Sequence, residues 1–88
     1  MIKNKNTHLP EYSELVQHLT WERKRLGLSQ TEVAKAVGMS QSDISKIENQ
    51  ERRMDVHEFR CLLAAYHIHD NPRLGRLVRN FLGAGDAN

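Results

Sequence analysis

The sequence predicts an all-α fold, a compact domain of five helices. Apolar residues recur at the three- and four-residue spacing of amphipathic helices, and no stretch alternates as a strand would. Serine, aspartate and asparagine stand at the positions where these helices would begin. With 88 residues, 39% of them hydrophobic and 27% charged, the chain is long enough for one globular domain and too short for two.

The first helix is predicted to begin at Pro10, because proline suits the first helical turn, and to run to Gly27. Its apolar face consists of Leu15, Val16, Leu19 and Leu26. Residues 1–9 are polar and show no periodicity, so we expect them to form a flexible arm.

The second helix is predicted to begin near Gln30. Ser29 and Glu32 have the spacing of a capping box, in which the serine oxygen accepts a backbone N–H and the glutamate reaches back. Gly38 follows the helix, where a left-handed backbone closes it without strain. The helix is therefore barely two turns long.

The third helix repeats this start signal with Ser40 and Asp43, and its buried stripe is Ile44 and Ile47. At about 100° per residue, the polar side chains point away from these isoleucines. They are Gln41, Ser42, Ser45, Lys46 and Asn49.

The fourth helix is predicted to begin at another capping pair, Asp55 and Glu58. Its apolar residues are Phe59, Leu62, Leu63 and Tyr66.

The fifth helix is predicted to begin at Asn71 and Pro72 and to end at Gly83. Its apolar stripe consists of Leu74, Leu77, Val78, Phe81 and Leu82. One interpretation is that this stripe closes the core of a monomer. Because five large apolar residues exceed what one edge helix needs, we expect instead that residues 70–83 form a dimer interface and that residues 84–88 form a tail.

Composition limits the cellular context. A formal charge of +2 does not by itself indicate a nucleic-acid partner. The single cysteine, Cys61, cannot form an intramolecular disulfide, which fits a reducing compartment. The start of the sequence lacks the apolar run of a secretory signal, and no stretch approaches the ~20 apolar residues of a membrane span. We therefore expect a cytoplasmic protein without membrane association.

The two short helices in the middle of the chain suggest a use. Short helices depend on tertiary packing for their stability. Two of them joined by a tight glycine turn therefore suggest a function that needs a fixed angle between the helices. Helix-turn-helix DNA binding is such a case, because the second helix lays its polar face into a major groove about 12 Å wide. Helices two and three are therefore predicted to form a helix-turn-helix.

The segment RLGLSQTEVAKAVGMSQSDISKIENQERR resembles the XRE or Cro-type helix-turn-helix family of phage repressors and bacterial regulators. The pattern Gly-Leu-Ser-Gln, Val-Ala, Gly, Ser, Ile-Ser and Glu-Asn matches across residues 27–49, and the resemblance extends over residues 12–68. It implies that residues 10–69 are a DNA-binding domain of helices one to four. The chain departs from the family at Gln50 and Glu51, where many members have a glycine.

The resemblance also implies roles for individual residues. Gln30 matches a residue that meets a phosphate and supports the first side chain of the recognition helix. Arg23 and Glu48 match a structural ion pair between helices one and three. The implied base contacts are Gln41, Ser42, Ser45 and Lys46, and the further phosphate contacts are Asn49, Arg52 and Arg53.

The chemistry of these side chains agrees with such roles. Glutamine pairs with the N6 and N7 edge of adenine, and lysine with O6 and N7 of guanine. We therefore expect Gln41 and Lys46 to carry most of the sequence specificity. Arginines and helix amino ends bind phosphates without reading sequence.

Catalytic and metal sites are not indicated. Cys61, His67 and His69 lack the second closely spaced pair of a structural zinc site. No catalytic triad, paired carboxylates or phosphate-binding glycine loop is visible, so we predict neither an enzyme nor a cofactor.

The sequence is thus predicted to encode a regulator that binds double-stranded DNA, a homodimeric repressor of a palindromic operator. One alternative is an antitoxin whose fifth helix binds a toxin, which copurification with a small protein would favour. Another is a protein-binding adaptor, which would lack salt-sensitive DNA binding.

Overall fold

The computed structural model describes residues 10–83, so the predicted arm at residues 1–9 and tail at 84–88 lie outside the described residues. Five α-helices and one 3-10 turn, Ile68–Asp70, occupy this range, which contains no strand. The helices are α1 Pro10–Arg25, α2 Gln30–Val37, α3 Gln41–Glu48, α4 Val56–Ala65 and α5 Pro72–Leu82. The predicted all-α, five-helix fold is confirmed.

The helices begin where their capping residues stand. Capping boxes form at Ser29 and Asp55, each with a glutamate three residues later that accepts a hydrogen bond from the backbone N–H of the cap. Ser40 caps α3 through the Asp43 backbone N–H, and Asn71 caps α5 through that of Leu74. Local hydrogen bonds therefore fix the start of four helices.

The core lies where the five helices meet. Its buried residues are Leu15, Leu19, Val33, Ala34, Ile44, Leu62, Tyr66 and Leu74. Helix α2 packs against α3 and α4, and α1 packs against α3 and α5. The small Ala34 of α2 is buried in this core.

A buried carboxylate joins α1 to the start of α5. Glu22 is 2% exposed, and its Oε1 accepts a hydrogen bond of 2.8 Å from Nδ2 of Asn71 and one of 2.9 Å from Nη2 of Arg25. Asn71 uses its other amide atom, Oδ1, to cap α5. The start of α5 is thereby tied to α1 by polar as well as apolar contacts.

The apolar stripe of α5 mostly faces the domain itself. Leu74 is 0% exposed and belongs to the core, so its assignment to a dimer interface is wrong. Leu77, Val78 and Phe81 are partly buried against the same core, and only Leu82, 66% exposed, presents most of its side chain. Helical periodicity identifies an apolar face and does not say whether the same chain or a second one covers it.

Two residues other than glycine adopt left-handed backbone conformations. Gln50 has φ of 62° directly after α3 and its C-cap Asn49. Its side chain accepts a hydrogen bond from the Ser13 hydroxyl of α1. His67 has φ of 63° after α4. In both cases the chain turns back after a helix at a residue other than glycine, which adopts this left-handed conformation with less strain.

Candidate nucleic-acid interface

The outer face of α3 is polar and accessible. Ile44 and Ile47 point into the core with 1% and 3% of their surfaces exposed. On the other side of the helix, Gln41, Ser42, Lys46 and Asn49 are exposed and Ser45 is partly exposed. The structure thus presents the five predicted polar residues together on one surface, and no part of the described chain covers them.

Gln41 is held in place by a hydrogen bond across the turn. Its Nε2 donates to Oε1 of Gln30, 2.7 Å away, and Nε2 of Gln30 donates to Oε1 of Glu48, 2.9 Å away. A carboxylate only accepts hydrogen bonds, so Glu48 fixes the orientation of the Gln30 amide, which in turn fixes that of Gln41. The second N–H of Nε2 and the carbonyl oxygen of Gln41 take no part in this chain of hydrogen bonds.

Glu48 is itself anchored by Arg23. Nε of Arg23 donates to Oε2 at 2.7 Å and Nη2 to Oε1 at 3.0 Å, a bidentate pair whose side chains are 10% and 11% exposed. Nη1 of Arg23 donates to the carbonyl oxygen of Leu28 at 2.8 Å. The hydrogen bonds with Glu48 raise the pKa of Arg23 above its ordinary value, so Arg23 stays charged. A connected set of side chains therefore runs from α1 to the first residue of α3.

The loop after α3 brings two neighbouring arginines to different environments. The guanidinium of Arg53 lies over the ring of Tyr12 with its carbon 5.1 Å from the ring centroid, and the side chain remains exposed. The hydroxyl of Tyr12 accepts a hydrogen bond of 3.2 Å from the backbone N–H of Met54. Tyr12 of α1 therefore supports both the loop and the arginine on it.

Arg52 has a carboxylate partner. Its guanidinium forms two hydrogen bonds with Glu58, of 3.0 Å and 2.7 Å. The sequence identified Glu58 only as a capping residue of α4 and did not indicate this pair. A glutamate six residues after an arginine, across a loop, has no defined spacing that sequence patterns could report.

Asn49 completes the edge of the surface. It is the C-cap of α3 and is exposed, and its Nδ2 lies 3.5 Å from Oγ of Ser45, one turn earlier. This long hydrogen bond leaves the amide of Asn49 accessible at the point where the chain enters the loop.

Comparison with known families supplies the identity of this arrangement. A family model described as a helix-turn-helix domain matches residues 14–79, which is most of the chain. The chain belongs to the helix-turn-helix domain family. No curated protein matches it.

Within the helix-turn-helix domain, α2, the turn at Gly38 and α3 form the unit for which the family is named. Gly38 has φ of 73°, as the left-handed closure of α2 requires. The matched range starts in α1 and ends at Arg79 of α5, beyond residue 68, where the resemblance seen in the sequence ended. This extension agrees with the position of Leu74 in the core, since α5 supplies a core residue of the domain.

Other kinds of site are less developed in the part of the chain that the structure describes. No group of three or more His, Cys, Asp or Glu side chains converges there as a metal site would require. Sγ of Cys61 lies 3.6 Å from Nε2 of His57, on the same helix. None of the helices in this range has the length and apolar character to cross a membrane.

Proposed function

We propose that this helix-turn-helix domain is a sequence-specific regulator of transcription that reads double-stranded DNA with the outer face of α3. The observation that carries the proposal is the combination of an exposed polar face with a fixed first side chain. Ordered side chains lose less conformational entropy on binding, so the anchoring of Gln41 favours recognition over nonspecific contact.

The hydrogen-bond pattern of Gln41 favours adenine as the base it reads. Adenine offers the N6 amino group as a donor and N7 as an acceptor in the major groove, and the free carbonyl oxygen and N–H of Gln41 complement them. Lys46 carries three donors and suits O6 and N7 of guanine. Ser42 and Ser45 can hydrogen-bond to either base, so they contribute less to sequence specificity than Gln41 and Lys46.

The phosphate contacts are proposed to flank this face on both sides. Gln30 stands at the amino end of α2, where backbone N–H groups and the helix dipole favour an anion. Asn49, Arg52 and Arg53 lie along the loop after α3. Contacts of this kind fix the register of the protein on DNA, and those made by a cationic side chain without a carboxylate partner supply affinity that falls with salt.

We further propose that two copies bind a near-palindrome and that binding represses transcription by occluding the promoter. In a two-fold dimer the recognition helices would lie about 34 Å apart, one turn of DNA. The accessible part of α5, centred on Leu82, is the proposed contact, with the exposed parts of Leu77, Val78 and Phe81 around it.

Selection of bound duplexes from a random pool tests the proposal. We expect a symmetric motif with an adenine in each half-site that depends on Gln41. Gln41→Ala should abolish the preference at that base pair, whereas Gln17→Ala, which removes an exposed glutamine from α1, should leave the motif unchanged. Failure of the wild-type protein to enrich any motif would refute sequence-specific binding.

A further inference from the structure

Arg52 and Glu58 form a close, bidentate ion pair at the edge of the proposed interface. Nη1 of Arg52 donates to Oε1 of Glu58 at 3.0 Å and Nη2 donates to Oε2 at 2.7 Å. The two side chains are 34% and 16% exposed. The carboxylate is thus the less accessible partner, and the arginine is the one that can meet a ligand.

The remaining donors of Arg52 can be identified from these contacts. A guanidinium has five N–H groups. Glu58 takes two of them, and the carbonyl oxygen of Arg53 accepts a third from Nη1 at 3.2 Å. The N–H of Nε and one N–H of Nη2 are left, and Oδ1 of Asp43 lies 4.0 Å from Nε. Arg52 can therefore donate to a phosphate while Glu58 still holds it.

Glu58 is fixed independently of Arg52. It is the third residue of α4, its backbone N–H donates to Oδ1 of Asp55 at 2.7 Å, and its Oε1 accepts from the backbone N–H of Asp55 at 2.9 Å. The hydrogen bonds from Arg52 hold the pKa of Glu58 below its ordinary value. The carboxylate is therefore ionised at neutral pH, and the arginine and glutamate together carry no net charge.

We propose that Glu58 limits the strength and salt dependence of DNA binding by neutralising Arg52, so that Arg52 positions a phosphate without releasing a counterion. The inference rests on the proposed function, because it concerns the same surface. It makes Glu58 a positioning residue that touches no DNA and sets how much charge the interface presents.

The neighbouring arginine provides the contrast. Arg53 lies over the neutral ring of Tyr12, which leaves its charge available to a phosphate. Each phosphate that a protein neutralises adds about 0.9 to the slope of log K against log salt. Of the two arginines, only Arg53 is expected to contribute to that slope in the wild-type protein.

The test measures binding of the whole chain to a mixed-sequence duplex between about 50 and 200 mM NaCl, a range over which counterion release changes the affinity measurably. Glu58→Gln keeps a residue that can serve in the capping box and removes the bidentate carboxylate partner of Arg52, which leaves only the more distant Asp43, 4.0 Å from its Nε. We expect tighter binding and a slope steeper by about 0.9, so that its advantage over wild type is about 3.5-fold greater at the low-salt end. Thermal melts followed by circular dichroism verify that the variant is folded.

Three further variants distinguish the effect of the Arg52–Glu58 ion pair on the salt slope from the effect of a change in net charge. Arg52→Gln and the double variant Arg52→Gln with Glu58→Gln should keep the wild-type slope, because neither contains an unneutralised arginine at residue 52. Glu51→Gln removes one charge from the same loop at an exposed residue and should also keep it.

The outcomes are distinct. An unchanged slope in Glu58→Gln, a flatter slope in Arg52→Gln, or equal steepening by Glu51→Gln would each overturn the inference while leaving DNA binding intact. If the wild-type protein bound no duplex at any of these salt concentrations, the proposed function would fail instead, and the inference with it.

Discussion

Replacement of Glu48 by glutamine should cost about 3 kcal/mol of folding free energy. The carboxylate accepts two hydrogen bonds from Arg23 and one from Gln30, and both charged side chains are about nine-tenths buried. Glutamine keeps one acceptor oxygen and turns an amino group toward a donor. Removing one partner of a buried pair costs about 3–5 kcal/mol, and we take the lower end because the site borders on solvent.

Urea denaturation followed by circular dichroism measures this loss. With an m value of roughly 1 kcal/mol/M for a small domain, the midpoint of Glu48→Gln should fall by about 3 M. Glu32→Gln removes the same charge from an exposed glutamate and preserves its capping box, so its midpoint should stay near that of wild type. A loss of less than about 1 kcal/mol in Glu48→Gln would show that the pair behaves as a surface salt bridge and would refute the reasoning.

The double variant Arg23→Met with Glu48→Met separates stability from recognition. Replacing both members of a buried ion pair by apolar residues is often neutral or stabilising, so most of the lost stability should return. Gln30 would still lack its carboxylate partner, and the amide of Gln41 would no longer be fixed. We therefore expect a folded protein whose preference for its selected duplex falls by roughly 1 kcal/mol, about the net worth of one hydrogen bond.

Four further outcomes are expected. Lys46→Ala should cost about 1–3 kcal/mol at one base pair and relax the preference there, whereas Arg53→Ala should weaken binding to all duplexes alike; equal losses for both in competition binding would contradict these roles. Leu82→Asp should convert the proposed dimer to monomer in sedimentation equilibrium without lowering the melting temperature of the monomer, and a dimer that persists would exclude this contact. His67→Gly should raise the free energy of unfolding by about 0.5–1 kcal/mol in urea melts, because relief of left-handed strain exceeds the added entropy of the unfolded chain. The pKa of Glu58 lies below its ordinary value of 4.5, so the ionised carboxylate stabilises the fold above pH 4.5, and this stabilisation is lost as the pH falls through the lowered pKa. A Glu58→Gln variant should therefore lose less stability than wild type between pH 6 and pH 3, and an identical loss would contradict this contribution of Glu58.

The elements of the fold could be predicted because their signals are local. Ser29, Ser40 and Asp55 each act within three residues of their own position, and the glycine after α2 acts within one turn. The outer face of α3 follows from the same helical geometry, since fixing Ile44 and Ile47 inside determines what lies outside. Such inferences need no knowledge of how the helices pack.

The predictions that failed or were missing depend on long-range contacts. Leu74 has the same spacing as the other apolar residues of α5, and only the packing of α1 and the 3-10 turn against that helix shows that it is buried within one chain. Arg53 meets Tyr12 from more than forty residues away. The left-handed conformation of Gln50 is likewise set by the return of the chain from α3 and is supported by Ser13.

The proposed interface divides its two tasks between two ion pairs in different surroundings. The pair of Arg23 and Glu48 is buried, so water and salt screen it little, and it acts through geometry by orienting the amide of Gln41, which is proposed to read a base. The pair of Arg52 and Glu58 lies at the partly exposed edge of the interface. There Glu58 neutralises the positive charge of Arg52, which would otherwise attract any phosphate. Because nonspecific binding is almost entirely electrostatic, neutralising an edge arginine lowers affinity for all sequences without touching base contacts. Glu58→Gln should therefore tighten nonspecific binding by at least as large a factor as specific binding, and a larger gain for the selected duplex, measured by competition, would contradict this division.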